Sequence, residues 1–144
     1  MSPILPQAVL FACTYNRIRS PMAAALARRA LGDAVFVESC GARSEIDEID
    51  PFAQAVMAEV GVDLAAHDAK SFEELQDGSF DLIVALSPEA EARARELARG
   101  HATTVEVWET EDPSLEQGTR EARLDAYRRV RDALSAQVDS RFRP

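Results

Sequence analysis

Cys13 and Arg19 lie six positions apart, and Ser20 follows the arginine directly. A thiol, a guanidinium and a hydroxyl at this spacing can all act on one anion. If the residues between them form a loop from a strand into a helix, Thr14, Tyr15, Asn16, Arg17 and Ile18 present backbone N–H groups that no helical carbonyl claims. Those groups and the helix dipole together make an anion cradle. A cysteine at the base of the cradle has its thiolate favoured by the same field and becomes a nucleophile. The planar fork of Arg19 can donate to two oxygens of a tetrahedral oxyanion at once, which a lysine cannot match. Ser20 is placed to donate its hydroxyl to the Cys13 sulfur, and Asn16 tolerates the left-handed backbone of a tight loop. The spacing therefore predicts Cys13 and Arg19 as catalytic residues, with Thr14 to Ile18 and Ser20 binding the oxyanion. The competing reading makes Cys13 a small buried hydrophobe. A strand before it, a helix start after it and polar loop residues between favour the cradle.

The elements that must hold this loop are readable in order. Ala8 to Ala12 is a continuous apolar run, the pattern of a parallel strand buried on both faces. Ser20-Pro21 reads as an N-cap and first helical residue, opening a helix that runs to about Leu31 and stops at Gly32. A second strand is predicted over Val35 to Cys40, ended by Gly41. An acidic loop, Glu45 to Asp50, leads through Pro51 into a helix near Phe52–Val60, which Gly61 terminates. The third strand spans Asp81 to Leu86, and Ser87-Pro88 opens a helix that ends at Gly100. Thr103 to Trp108 forms the fourth strand, and an apolar stripe predicts a last helix from Thr119 to about Val138. Alternating strands and helices predict a three-layer α/β fold with a parallel sheet and helices on both faces. In such sheets ligands bind beyond the carboxyl ends of the strands, which gathers Cys13, Gly41, Ser87 and the Glu109–Asp112 loop on one edge.

Composition narrows the chemistry further. The length suits one domain over residues 1–144, and 47% hydrophobic with 28% charged residues is a globular balance. A formal net charge of -9 argues against nucleic-acid and anionic-membrane partners, which need a basic face. No apolar run reaches membrane-spanning length, and Met1 to Gln7 lacks the features of a secretory leader. With only two cysteines, a reducing cytoplasmic location is expected. His67 and His101 are not at metal-ligand spacing from a cysteine or each other, so neither a metal nor a cofactor is predicted.

Val9-Leu10-Phe11-Ala12-Cys13, Asn16 and Arg19-Ser20-Pro21-Met22-Ala23 resemble the signature of the low-molecular-weight protein tyrosine phosphatases and the arsenate reductases that share their fold. Ser39-Cys40-Gly41, Gly61-Val62-Asp63-Leu64 with His67, Asp81 to Leu86, Trp108 and Asp112-Pro113 extend the resemblance along nearly the whole chain. The resemblance implies a four-stranded sheet in the order 2-1-3-4 and a phosphate loop after strand 1. It further implies hydrolysis of a phosphomonoester, a protein phosphotyrosine or an aryl phosphate, through a phosphocysteine intermediate. Asp112 would then be the general acid. Glu109 and Glu111 are nearby rivals, and the proline after Asp112 favours it over both. A phosphorylated protein or small phosphomonoester is the implied partner, with inorganic phosphate or arsenate as oxyanion ligand. His67 is implied to hydrogen-bond near Asn16, its alternative being an ordinary surface histidine.

The departures carry information too. Tyr15 stands where the resemblance calls for glycine, and its ring either walls the pocket or narrows its entrance. Ile18 replaces a second loop cysteine, and Ser114-Leu115 replace aromatic residues that would flank a phenol ring. Arg17 adds a charge at the rim that could favour acidic substrates, unless it is simply solvated. Arsenate reduction is an alternative activity. The third strand and the helix after it hold no cysteine for a relay, so it would need an external small thiol or Cys40. A Cys13–Cys40 bridge requires close approach of the two, whereas core packing does not. A non-catalytic phosphate-binding protein is the third reading.

Overall fold

The computed structural model describes residues 5–75 and 78–143. Four strands, β1 (Ala8–Cys13), β2 (Phe36–Gly41), β3 (Leu82–Ala85) and β4 (Thr104–Val107), form one sheet in the order β2-β1-β3-β4. All three pairings are parallel. The helices are α1 (Arg19–Leu31), α2 (Pro51–Ala58), α3 (Pro88–Ala98) and α4 (Arg120–Phe142). The expected three-layer arrangement and strand order are present. No helix among the described residues is long and apolar enough to cross a membrane.

The layers follow from which side chains each strand sends to each face. Val9, Phe11 and Cys13 of β1 point into a core built with α1, α2 and α4, whereas Leu10 and Ala12 meet Cys40, Phe72 and the alanines of α3. Helix α1 presents Met22, Ala23, Ala24 and Ala27 without exposed surface, and the small alanine side chains let it lie close on the sheet. Phe11, Trp108 and Phe142 contact one another edge-on or tilted, closing that core. Trp108 and Phe72 therefore pack, one in each core.

The start of α1 differs from its expected form. Ser20 and Pro21 lie inside the first turn, Ile18 occupies the cap position, and no side chain caps the helix. The Ser20 N–H instead points at the Cys13 sulfur, 3.4 Å away. The loop has curled back so that the nucleophile candidate takes the donor a cap would have used. The same Ser-Pro pattern behaves as expected at α3, where Ser87 accepts from Ala90 N. The last helix also runs one turn beyond its expected end, because Val138 and Phe142 are both buried.

Candidate active site

Strands β1 and β2 end in register, with Cys13 opposite Gly41. The chain from Thr14 to Ile18 then bends around the Cys13 sulfur. Asn16 makes the bend possible: it is the one described non-glycine residue with positive φ, at 59°. Its side chain is fully buried and holds the loop from within. Nδ2 donates to Ser20 Oγ (2.8 Å) and Ser39 Oγ (2.9 Å), and Oδ1 accepts from Lys70 N (3.0 Å). The Asn16 carbonyl lies 2.8 Å from His67 Nε2, so that nitrogen must carry the proton. Burial lowers the proton affinity of His67 below the ordinary histidine value. Ser39, Lys70 and His67 thus support the loop from behind. Spacing alone did not identify Ser39 and Lys70, because their contribution arises only where β2 and the following loop pass beneath Asn16.

Three donors converge on Cys13 Sγ. Asn16 N–H lies at 3.3 Å, Ser20 N–H at 3.4 Å and Ser20 Oγ at 2.9 Å. Ser20 Oγ is also 3.2 Å from the Cys40 carbonyl. The hydroxyl has one proton. It can donate either to that carbonyl or to the sulfur.

Arg19 is buried and reaches across the sheet edge. Nη1 donates to the carbonyls of Leu86 (3.3 Å) and Thr110 (3.2 Å), and Nη2 approaches Thr14 Oγ1 at 3.5 Å. The segments after β3 and β4 therefore orient the guanidinium through backbone oxygens, which no side-chain pattern announces. Thr14 Oγ1 also donates to Ser87 Oγ (3.1 Å), joining the loop to the start of α3.

Above the sulfur opens a cleft of about 190 Å³ lined by Cys13, Tyr15, Arg17, Ile18, Arg19, Asp50, Asp112 and Ser114. Of the sequence-derived site residues, Thr14, Asn16 and Ser20 are not in that lining and instead hold the loop. Arg17 fixes the rim: its Nε donates to the Glu48 carbonyl (2.7 Å), and its own carbonyl accepts from Asp50 N (3.1 Å). Asp112 caps a short 3-10 turn, Pro113–Leu115, with Oδ1 accepting from Ser114 N (3.0 Å) and Ser114 Oγ (2.6 Å). Its Oδ2 has no protein hydrogen bond among the described residues. The rivals stand apart. Glu111 is turned to Arg129, whose hydrogen bonds hold its carboxyl below the usual range, and Glu109 does not line the cleft.

Asp50, in sequence only the end of an acidic loop, also lines the cleft. Its Oδ1 caps α2, and its Oδ2 accepts from the buried Tyr127 hydroxyl at 3.2 Å. Asp-Pro before a helical run was the available signal, since it has the same form as Ser87-Pro88.

Cys40 does not face Cys13. It pairs with Ala12 in the ladder and lies in the core on the opposite side of the sheet. Both cysteines are free, and burial pushes the Cys40 thiol well above the ordinary range. A direct relay between them would have to pass through the sheet. Charged side chains on α3 and α4 tie these helices to other parts of the chain. Glu89 reaches Arg43, Arg93 reaches Glu73, and Arg128 and Arg131 both reach Glu59.

Known proteins resemble both the sequence and this geometry. The model of the low molecular weight phosphotyrosine protein phosphatase family matches residues 8–141. An arsenate reductase of Bacillus subtilis (strain 168) is 32% identical over 126 residues, covering 88% of each chain. Among solved structures, the tyrosine phosphatase amsI of Erwinia amylovora superposes with a TM-score of 0.78 at 21% identity, over 95% of this chain and 91% of its own. The YwlE arginine phosphatase of Geobacillus stearothermophilus gives 0.73 at 26% identity, over 93% of this chain and 89% of its own.

Proposed function

This chain belongs to the low molecular weight phosphotyrosine protein phosphatase family, and from that premise we propose that it is a cysteine-dependent phosphomonoester hydrolase. The observation that carries the proposal is the convergence of the Asn16 and Ser20 N–H groups and the Ser20 hydroxyl on Cys13 Sγ, within a cleft that also holds Arg19 and Asp112.

The Cys13 thiolate attacks phosphorus, forming an S–P bond as the bond to the leaving oxygen breaks. Backbone N–H groups of the loop and the Arg19 fork stabilise charge on the non-bridging oxygens. Asp112, protonated on Oδ2, gives that proton to the leaving oxygen, which would otherwise depart as a poor alkoxide or phenoxide. Water then attacks phosphorus and passes a proton to Asp112. The S–P bond breaks, phosphate leaves, and the Ser20 hydroxyl turns to the regenerated thiolate.

A second reading is supported by the name of the 32%-identical relative, an arsenate reductase. Arsenate is tetrahedral and fits the same cradle. Cys13 would displace hydroxide from arsenic, and an external thiol would then attack the sulfur. Arsenic leaves as arsenite, reduced by two electrons, and the two thiols end as a mixed disulfide. The position of Cys40 behind the sheet makes the external thiol a requirement of this reading.

One set of assays separates the readings: aryl phosphate hydrolysis, and arsenate reduction with a small thiol, for the native protein and Cys13→Ser. Hydrolysis by the native protein that vanishes in Cys13→Ser is expected. Arsenate reduction without phosphate ester hydrolysis would replace the first reading with the second. Phosphate binding with neither reaction would leave a binding protein. Asp112→Asn is expected to slow hydrolysis about 100-fold or more for a poor leaving group and less for a good one.

A further inference from the structure

Tyr15 is the single aromatic side chain lining the cleft among the described residues. Ser114 and Leu115, on the loop that carries Asp112, offer no ring. Tyr15 leaves 39% of its surface open, yet its surroundings are held by several contacts. The Arg43 guanidinium lies over the ring, 5.9 Å from its centroid. Arg43 is in turn gripped by Glu89, in the first turn of α3, at 3.0 Å from Nε and 2.8 Å from Nη2. The backbone beneath is fixed as well. Arg43 N donates to the Thr14 carbonyl (2.9 Å), and Gly41 packs so tightly that an added Cβ would stand 2.8 Å from the Tyr15 carbonyl carbon.

We infer that Tyr15, clamped by Arg43 and Glu89, is the specificity-determining wall of the cleft, against which the flat group of an aryl phosphate or aryl phosphonate stacks. The inference rests on the phosphatase reading for its substrate but not for its geometry. Arg43 lies over the ring, which is partly exposed and borders the cleft. Glu89 neutralises Arg43, so the clamp holds the ring without placing a free cation at the mouth. A ring held before the ligand arrives loses little rotamer freedom on stacking, and the contact keeps more of its strength. Tyr15 touches the ligand; Arg43 and Glu89 are positioning residues. The aromatic surface absent from the Asp112 loop is supplied from within the phosphate loop itself.

Phenylphosphonate and methylphosphonate test this directly, because both present the same kind of anion to the cradle and differ in the ring. Their dissociation constants are measured for the native protein, Tyr15→Leu, Tyr15→Phe, Arg43→Ala and Glu89→Gln. The preference for the phenyl ligand should fall about three- to tenfold in Tyr15→Leu and survive in Tyr15→Phe. The Arg43→Ala and Glu89→Gln proteins should fall between. With phenyl phosphate as substrate, Tyr15→Leu should raise KM and leave kcat nearly constant, the pattern of lost uniform binding, not of a distorted loop. An unchanged preference in Tyr15→Leu overturns the inference. So does a preference that grows, which would make Tyr15 an obstruction, or a native protein that binds neither phosphonate. If the binding pattern holds while no phosphate ester is hydrolysed, the wall stands and the phosphatase reading falls.

Discussion

Asn16 shows how much of the candidate site depends on one side chain that does not line the cleft. Its amide holds Ser20, Ser39 and the backbone of Lys70, its carbonyl takes the His67 proton, and its N–H points at the Cys13 sulfur. Asn16→Ala leaves several of these buried groups unpaired and forces alanine to φ 59°. We expect a loss of about 3 kcal/mol in urea unfolding together with loss of phosphate binding. Asn16→Gly should recover about 1 kcal/mol, because only the left-handed backbone cost is relieved. Equal stability of the two variants would show that the backbone contributes nothing. The tolerance of asparagine for this conformation was legible from the sequence, and so was the Cys13–Arg19–Ser20 arrangement. The partners of Asn16 were not, because Ser39 and Lys70 reach it across gaps of 23 and 54 residues that no local pattern spans. Asp112 was marked by the proline after it, whereas the cleft role of Asp50 was hidden by its acidic neighbours.

At the scale of elements, the strands were legible because burial on both faces demands continuous apolar runs, and β1 and β3 have them. The start of α1 was misread because Ser-Pro normally marks a cap, and here the curled loop gives the cap's role to a sulfur. The contact between the phosphate loop and the end of β2 was equally invisible. It is nevertheless among the tightest: a Cβ on Gly41 would meet Tyr15 C at 2.8 Å, Asn16 N at 2.9 Å and the Arg43 carbonyl at 2.9 Å, all backbone atoms with no side chain to swing aside. Gly41→Ala must therefore push the loop off β2. The expected cost is about 1–3 kcal/mol in denaturant unfolding. A displacement of the loop on the order of 1 Å should lower kcat/KM about 100-fold. An alanine variant with native kcat/KM would mean that β2, and not the loop, gives way.

Across the whole molecule, α2, whose cap residue Asp50 lines the cleft, lies beside α4, and their junction is electrostatic as well as apolar. Tyr127 of α4 donates to Asp50 at the head of α2, and at its tail Arg128 and Arg131 of α4 converge on Glu59. Those two arginines lower the Glu59 carboxyl from its ordinary 4.5 to about 2. A carboxylate with a depressed folded-state value binds protons more weakly when folded than when unfolded. The stability it adds is complete above the unfolded value and is lost as pH falls from about 4.5 toward about 2. Glu59→Gln should consequently lower the urea midpoint at pH 6, with the gap to the native protein narrowing as pH approaches 3. The groups are exposed, so added salt should shrink the gap at pH 6 as well. If the gap were constant across this range, the Glu59 contact would be working through packing, and the charge on α4 would play no part in holding α2 beside the cleft. If it narrows, the charges of Arg128 and Arg131 help to hold the far end of α2 against α4.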